Sequence, residues 1–172
     1  LDIASGHGRY VLDALAAEAL PESVRLRDYS PINVAAGQAL IAERGLQKVA
    51  TFDEVNAYER ANYQNLNPRP TLGIVSGLHE LFPDNDLILQ SLYGFGDAIE
   101  PGGYLIYTGQ PWHPQLEMIA RCLSSHREGQ DWVMRRRSQQ EMDQLVEKAG
   151  FEKVHQWIDD DGIFTVSLAV RK

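Results

Sequence analysis

The sequence has a single cysteine, Cys122, among 172 residues, so no internal disulfide can form and nothing points to a stapled extracellular scaffold. Basic residues are in the minority, with 16 Lys and Arg against 24 Asp and Glu and a formal net charge of −8. A broad electrostatic footprint for nucleic acid is therefore missing, although a local basic patch is compatible with the balance. No apolar run approaches the roughly 18 residues needed to span a bilayer, and no signal peptide is visible. Low-complexity tracts, internal repeats and interdomain linkers are absent, and no His/Cys/Asp spacing is tight enough to predict a metal site. What remains is ordinary globular composition, 44% hydrophobic and 23% charged, which excludes wholesale disorder and suits one domain with one core. A soluble, cytoplasmic domain is expected. Leu1 is not an initiator methionine, and Leu1-Asp2-Ile3-Ala4 reads as the last residues of a strand already under way. A segment preceding Leu1 is therefore expected.

Apolar runs of strand character alternate with longer segments of helical period. The strand candidates are Leu1–Ala4, Val24–Arg27, Val49–Phe52, Thr71–Ser76, Tyr104–Thr108, Glu152–Trp157 and Phe164–Val170. Helical patterns cover Tyr10–Ala19, Ile32–Arg44, Asn85–Ala98 and Gln115–Leu123. Strand and helix in alternation is the signature of a parallel sheet covered by helices on both faces. Punctuation agrees. Ser30-Pro31 supplies an N-cap with proline at the first helical position, and Gly45 stands where a left-handed C-cap belongs. Ser138-Gln139-Gln140-Glu141 reads as a capping box for a further helix stopped by Gly150. Asp159-Asp160-Asp161-Gly162 is a hairpin signal, so the last strand is expected to run antiparallel to its neighbour. Met118, Ile119 and Leu123 read as the core stripe of their helix. Arg135-Arg136-Arg137 reads as a solvated run before the Ser138 cap, with a grip on an anionic substrate as the alternative. Tyr58–Pro70 is the least regular connection.

Asp2-Ile3-Ala4-Ser5-Gly6-His7-Gly8 follows the first strand and opens a helix. Two glycines one residue apart let the backbone turn tightly and let a ligand approach where a Cβ would clash. The N–H groups that begin the next helix favour an anionic group such as a carboxylate or phosphate. Asp28, twenty residues beyond Gly8 at the end of the second strand, is placed to accept hydrogen bonds from a ribose diol. Together these features describe a nucleoside site at the carboxyl ends of the strands. The plainer alternative is that the glycines make only a tight turn and Asp28 only starts the Ser30 cap. Val11 holds the third position of the G-x-G-x-x-G/A pattern, which counts against a nicotinamide or flavin dinucleotide. No phosphate loop is present, and Gly73-Ile74-Val75-Ser76-Gly77 has the wrong spacing for a nucleophile elbow.

These residues resemble a known family. Asp2-x-Ala4-x-Gly6-x-Gly8 is similar to the first motif of class I S-adenosylmethionine-dependent methyltransferases, with alanine for the usual first glycine. Asp28-Tyr29-Ser30 resembles the acidic end of that family's second strand. Phe52-Asp53-Glu54-Val55-Asn56-Ala57-Tyr58 resembles the segment after strand three, with Asn56-Ala57 where many members have Asp-Ala. Leu78-His79-Glu80-Leu81 with Pro83-Asp84 resembles the segment after strand four. Glu100-Pro101-Gly102-Gly103-Tyr104-Leu105 resembles the turn into strand five, and Ala149-Gly150-Phe151 the approach to the final hairpin. With Gly109-Gln110-Pro111-Trp112-His113-Pro114 added, the wording is nearest a bacterial group of proposed methyltransferases whose members can be fused behind an α/β-hydrolase domain.

The resemblance implies a Rossmann-like, doubly wound, mostly parallel seven-stranded sheet with an antiparallel final strand and helices on both faces. It implies S-adenosyl-L-methionine as cofactor, S-adenosyl-L-homocysteine as product, and a fused upstream domain. Ala4, Ser5, Gly6 and Gly8 would wrap the methionine and ribose portion, and Asp2 would anchor the amino group. Asp28 would hold the ribose hydroxyls, Tyr29 would lie against the adenine, and Asn56 and Ala57 would meet its edge. The backbone at Ser76, Gly77 and Leu78 would border the methionine end. The sulfonium methyl is already activated, so a base is needed only for an acceptor that arrives protonated. His79 and His113, on loops at the carboxyl edge, are the candidate bases, each with a backbone-bonded loop histidine as the alternative. His7 reads as a lid residue, and His126 and His155 as structural. Tyr107 and Trp112 would line a substrate pocket or merely cover the core. The acceptor expected is a small molecule or lipid, not nucleic acid. Two rivals stand beside this reading: a non-catalytic Rossmann-like module that binds the cofactor or serves as scaffold, and a nucleotide-cofactor oxidoreductase.

Overall fold

Seven strands form one sheet in the order β3-β2-β1-β4-β5-β7-β6 in the computed structural model, which describes residues 1–15, 20–124, 129 and 131–172. The strands are β1 (Asp2–Ile3), β2 (Val24–Asp28), β3 (Ala50–Glu54), β4 (Leu72–Val75), β5 (Tyr104–Gly109), β6 (Phe151–Ile158) and β7 (Thr165–Arg171). The first five are mutually parallel, with Asp2 opposite both Leu26 and Ile74. β7 inserts antiparallel between β5 and β6, as the Asp-Gly hairpin signal predicts. Asp159 Oδ1 closes that hairpin by accepting the N–H groups of Ile163 and Phe164.

The helices are α1 (Arg9–Leu15), α2 (Pro31–Glu43), α3 (Asn85–Ala98), α4 (Leu116–Cys122) and α5 (Gln139–Lys148). The end of the first expected helix and His126 lie outside the described residues. Ser30 caps α2 through its hydroxyl, which accepts the Asn33 N–H at 3.4 Å, and Gly45 takes a φ of 68° just beyond the helix. One core cluster, with Leu12, Val34 and Ile41, packs α1 and α2 on β2 and β3. A second lies under α3 and α5, around Ile88, Leu92, Phe95 and Val146. Tyr63, from the irregular connection, is fully buried in this second core, and its hydroxyl donates to the Ala57 carbonyl at 2.7 Å.

The order places β1 in the middle, with the chain winding outward to β3 and then returning to β4 on the other side. Connections leave in opposite directions at β1 and β4, and a crevice opens at their carboxyl ends. Expectations fail at two helices. Helix α4 buries none of its residues, and Met118 is 50% exposed. It lies clear of the sheet, so its apolar stripe is not core; Ile119 instead lines a cleft. The Ser138 box forms only by half. Ser138 accepts the Glu141 N–H at 3.1 Å, but the Glu141 carboxylate leaves the cap for Arg135 and Asn85.

Gly37 brings α2 against β3, and a Cβ there would stand 2.2 Å from the Phe52 ring. Alanine in an ordinary helix interior gains about 1 kcal/mol over glycine, whereas overpacking of a filled core loses roughly 1–3 kcal/mol. Overpacking wins at this contact. Gly37→Ala is expected to lower the urea midpoint, and a raised midpoint would refute the packing assigned to Phe52.

Candidate functional site

The loop between β1 and α1 is folded through three left-handed residues, of which the first two are Ala4 at φ 51° and Gly6 at φ 57°. Ala4 holds the first position with a Cβ, at a conformational cost of about 1–2 kcal/mol that glycine would not incur. Gly6 meets nothing within 4 Å where a Cβ would stand, so its open face can receive a ligand. Gly8, at φ 67°, is different. A Cβ there would meet Leu26 Cδ1 at 2.5 Å, so its small size serves helix–strand packing. Ser5 is also turned inward. Its buried hydroxyl donates to the Asp2 carbonyl at 3.1 Å and accepts the Arg27 N–H at 3.2 Å, which leaves only its backbone in the loop.

Asp28 carries the geometry. Its Oδ2 accepts the Gly6 N–H at 2.9 Å, and its Oδ1 accepts Ser30 N–H at 2.9 Å and the Asn33 amide at 3.0 Å. The same carboxylate thus begins α2 and clamps the glycine loop, joining the two alternatives set out for it. A carboxylate has about four lone-pair sites, so acceptor capacity is left for a diol. Asp2 lies beneath the loop. Tyr10 donates its hydroxyl to Asp2 Oδ1 at 2.7 Å, while Asp2 Oδ2 is buried with no hydrogen-bond partner among the described residues. Burial pushes the Asp2 carboxyl up to about 6, against hydrogen bonds from Tyr10 and Ser5.

Beyond Asp28, Tyr29 is 74% exposed and Ile32 77% exposed, an apolar rim able to cover a flat ring. Asn56 is mostly committed to its own turn: its Oδ1 accepts the Tyr58 N–H at 3.0 Å and its amide donates to Glu59 at 3.1 Å. The Ala57 carbonyl is taken by Tyr63. At the end of β4, Ser76 is half-buried and Leu78 joins the core, while Gly77 at φ 70° is exposed with open space at its Cβ position. Gly77 donates its N–H to Thr108 Oγ1 at 2.9 Å.

Of the two candidate bases, the fold turns one into the core and leaves the other at the cleft. His79 is buried, its Nε2 lies 3.3 Å from Ser91 Oγ, and burial with the Arg137 charge pushes its imidazole down to about 3. Such a ring is too weak a base near neutrality. His113 borders the cleft, but its Nδ1 accepts the Gln115 N–H at 3.1 Å, so in the neutral ring Nε2 already carries the proton. Tyr107 belongs to the core and to α5, donating its hydroxyl to Asp143 Oδ1 at 3.0 Å. Trp112 is half exposed and stands outside the cleft, whose tryptophan is Trp132. His7 stands exposed on the loop, and His155 packs edge-on against Trp157.

A cleft of about 260 Å³ between the β4 and β5 loops is lined by Gly77, His113 and Arg136, which the sequence singles out, and by Glu80, Gln110 and Trp132, which sequence reasoning missed. Glu80 sits in a short 3₁₀ turn, His79–Leu81, where one step of phase turns histidine inward and glutamate toward the cleft. Burial raises the Glu80 carboxyl above its ordinary range, opposed by hydrogen bonds and by Arg136 and Arg137. The three arginines are not a solvated run. Arg137 is buried and donates to the carbonyls of His79 at 2.7 Å and Phe82 at 2.9 Å and to Asn85 Oδ1 at 2.7 Å. Arg135 donates to the Pro83 carbonyl, Asn85 and Glu141.

Comparison with known proteins gives the family and the fold. The profile of a family described as "Putative methyltransferase" matches residues 1–171. The chain is 60% identical over 172 residues to "Uncharacterized protein YnbC" of Escherichia coli strain K12, covering all of this chain and 29% of that protein. The chain thus spans less than a third of that relative's length. Among solved structures, a possible exported protein of Bordetella parapertussis aligns over 99% of this chain and 61% of its own, with a TM-score of 0.78 and 20% identity. The magnesium protoporphyrin IX methyltransferase of Synechocystis PCC 6803, solved with bound SAH, aligns over 99% of this chain and 72% of its own, with a TM-score of 0.73 and 15% identity. At these identities the two structures speak for the fold.

The Asp2 carboxyl binds its proton more tightly folded, with a value of about 6, than at the ordinary 3.8. Its burial is therefore tolerated below about pH 4 and becomes destabilising as pH rises through about 6. Asp2→Asn removes the ionisation. Relative to the parent protein, the variant is expected to gain stability progressively between about pH 4 and pH 6 and to hold that gain above it. Urea midpoints across this range check the slope; a pH-independent difference would mean that Asp2 is not shielded from water.

Proposed function

The chain belongs to the family described as "Putative methyltransferase", and from that premise we propose that it is a class I S-adenosylmethionine-dependent methyltransferase domain acting on a small-molecule or lipid acceptor. The observation that carries the reading is the Asp28 carboxylate holding the Gly6 N–H at 2.9 Å at the sheet's switch point, with open space above Gly6. When bound, S-adenosyl-L-methionine supplies a sulfonium-activated methyl group and leaves as S-adenosyl-L-homocysteine. The residues fit it. The orphaned Asp2 Oδ2 offers an acceptor for its amino group, Asp28 for its ribose hydroxyls, and Tyr29 with Ile32 a cover for its adenine. The uncommitted N–H and lone pair of Asn56 remain for the ring edge, and Gly77 leaves room at the methionine end. The acceptor then enters the cleft beyond Gly77. Orientation and exclusion of water are the main work left to such a site.

A covalently attached further domain is part of this reading, supported by the 29% coverage of the relative, as is a cytoplasmic location. The rival of a non-catalytic module draws on Ala4, whose Cβ sits at a left-handed position. The test is calorimetric titration of the full-length protein with S-adenosylhomocysteine, S-adenosylmethionine and NAD. Binding of the first two on the order of micromolar, without NAD, is expected. Asp28→Ala should lower that affinity at least a hundredfold, and Asp2→Asn should weaken S-adenosylhomocysteine more than adenosine. Absence of binding by the full-length chain would refute the reading, and NAD binding alone would replace it with the oxidoreductase.

A further inference from the structure

We propose that the cleft beside Gly77 is an acceptor subsite for a small hydroxylated carboxylate, with Arg136 taking the carboxylate and Glu80 accepting the hydroxyl proton beside Gln110. The proposal deepens the methyltransferase reading, on which it rests for naming this ligand the methyl acceptor.

Three residues that line this cleft carry buried side-chain atoms with no hydrogen-bond partner among the described residues: Glu80 Oε2, Gln110 Oε1, and Arg136 Nε and Nη1. Buried polar atoms are nearly always paired, so four orphans on three residues of one cleft call for a ligand that pairs them. Their chemistry is mixed. Arg136 is the one member of its triplet not spent on the protein's own carbonyls or carboxylates; its Nη2 touches only Met134 Sδ, at 3.9 Å. Among the described residues it forms no ion pair, although the Glu80 carboxyl is near enough to act on its charge. Glu80 is only 8% exposed and is held by one oxygen. Its Oε1 accepts from Thr108 Oγ1 at 3.3 Å, and that hydroxyl accepts the Gly77 N–H at 2.9 Å. Oε2 is left to the ligand.

A neutral alcohol would leave the Arg136 cation unpaired, and a simple carboxylate would leave two acceptors without a donor. An amine would meet Arg136 with like charge. A phosphate brings close to two negative charges toward the Glu80 carboxyl. A hydroxyl-bearing carboxylate pairs the Arg136 donors and gives its one O–H to one of the two acceptors, and Leu81, Ile119 and Met134 offer its carbon frame an apolar wall. A volume of about 260 Å³ suits one small molecule.

The test titrates the full-length protein, with and without S-adenosylhomocysteine, with 2-, 3- and 4-hydroxybenzoate, benzoate and the matching hydroxybenzamides. At least one hydroxybenzoate is expected to bind ten times more tightly than its amide and several times more tightly than benzoate. Arg136→Gln should erase the preference for acid over amide, Arg136→Lys should keep part of it, and Glu80→Gln should shrink the preference for the hydroxylated acid. Unchanged S-adenosylhomocysteine affinity in the Arg136 variants reports an intact fold. The subsite is overturned if no hydroxybenzoate binds, if acid and amide bind alike, or if Arg136→Gln keeps the preference. Failure to bind S-adenosylhomocysteine while the acids still bind through Arg136 would refute the methyltransferase reading and leave the subsite standing.

Discussion

The Arg137 guanidinium is buried against three neutral acceptors, the carbonyls of His79 and Phe82 and the side-chain oxygen of Asn85. Taking a cation out of water is expensive unless its N–H groups are satisfied, and the planar fork of arginine can satisfy several at once. This interaction ties the segment before α5 to the loop after β4, across 58 residues of chain. It also sets the direction of its neighbours. Residues 132–138 carry no helix, and in an extended chain alternate side chains point to opposite sides. Arg135 and Arg137 therefore reach the same acceptor, Asn85, while Arg136 turns to the cleft. His79 and Glu80 divide likewise, one facing Ser91 in the core and the other the cleft.

The opposite half of the carboxyl edge is organised by a different charge. Asp28 joins the glycine loop to the start of α2 through three hydrogen bonds, so a ligand on that edge meets a carboxylate whose position is already set. Asp2 is the counterpart in energetic terms. A buried carboxyl with its proton affinity raised and one oxygen unpaired weakens the free domain near neutrality, and such groups gather where ligands bind. The two halves meet at Gly77, at the end of β4, which touches the Thr108–Glu80 relay of the cleft. A methyl donor on one side and an acceptor on the other would face each other there.

Much of this was legible in the residues. Strand and helix alternated clearly because parallel strands between helices are continuous apolar runs bounded by strong punctuation, as at Ser30-Pro31 and Gly162. Asp28 stood out by its distance from the glycine loop, since the βα unit has a nearly constant length. The acceptor side was far less legible. A three-residue 3₁₀ turn has too little period to tell which of His79 and Glu80 faces inward. Arg137 looked solvated because its acceptors are backbone carbonyls, which no sequence pattern displays. The apolar stripe of α4 resembled a core face, since the pattern of a helix does not say what it packs against. Gly8 and Ser5 lie in the expected loop, but whether they serve a ligand or the core depends on Leu26 and Arg27 of the neighbouring strand.

The sequence by itself determined the strand order's raw material, the glycine loop with Asp28 beside it and the family resemblance, because these rest on local spacing along one or two adjacent elements. Only the tertiary structure decided which side chains face the cleft and which are spent on holding it open. Those assignments arise between β4, β5 and the approach to α5, segments brought together by the sheet and by one buried guanidinium.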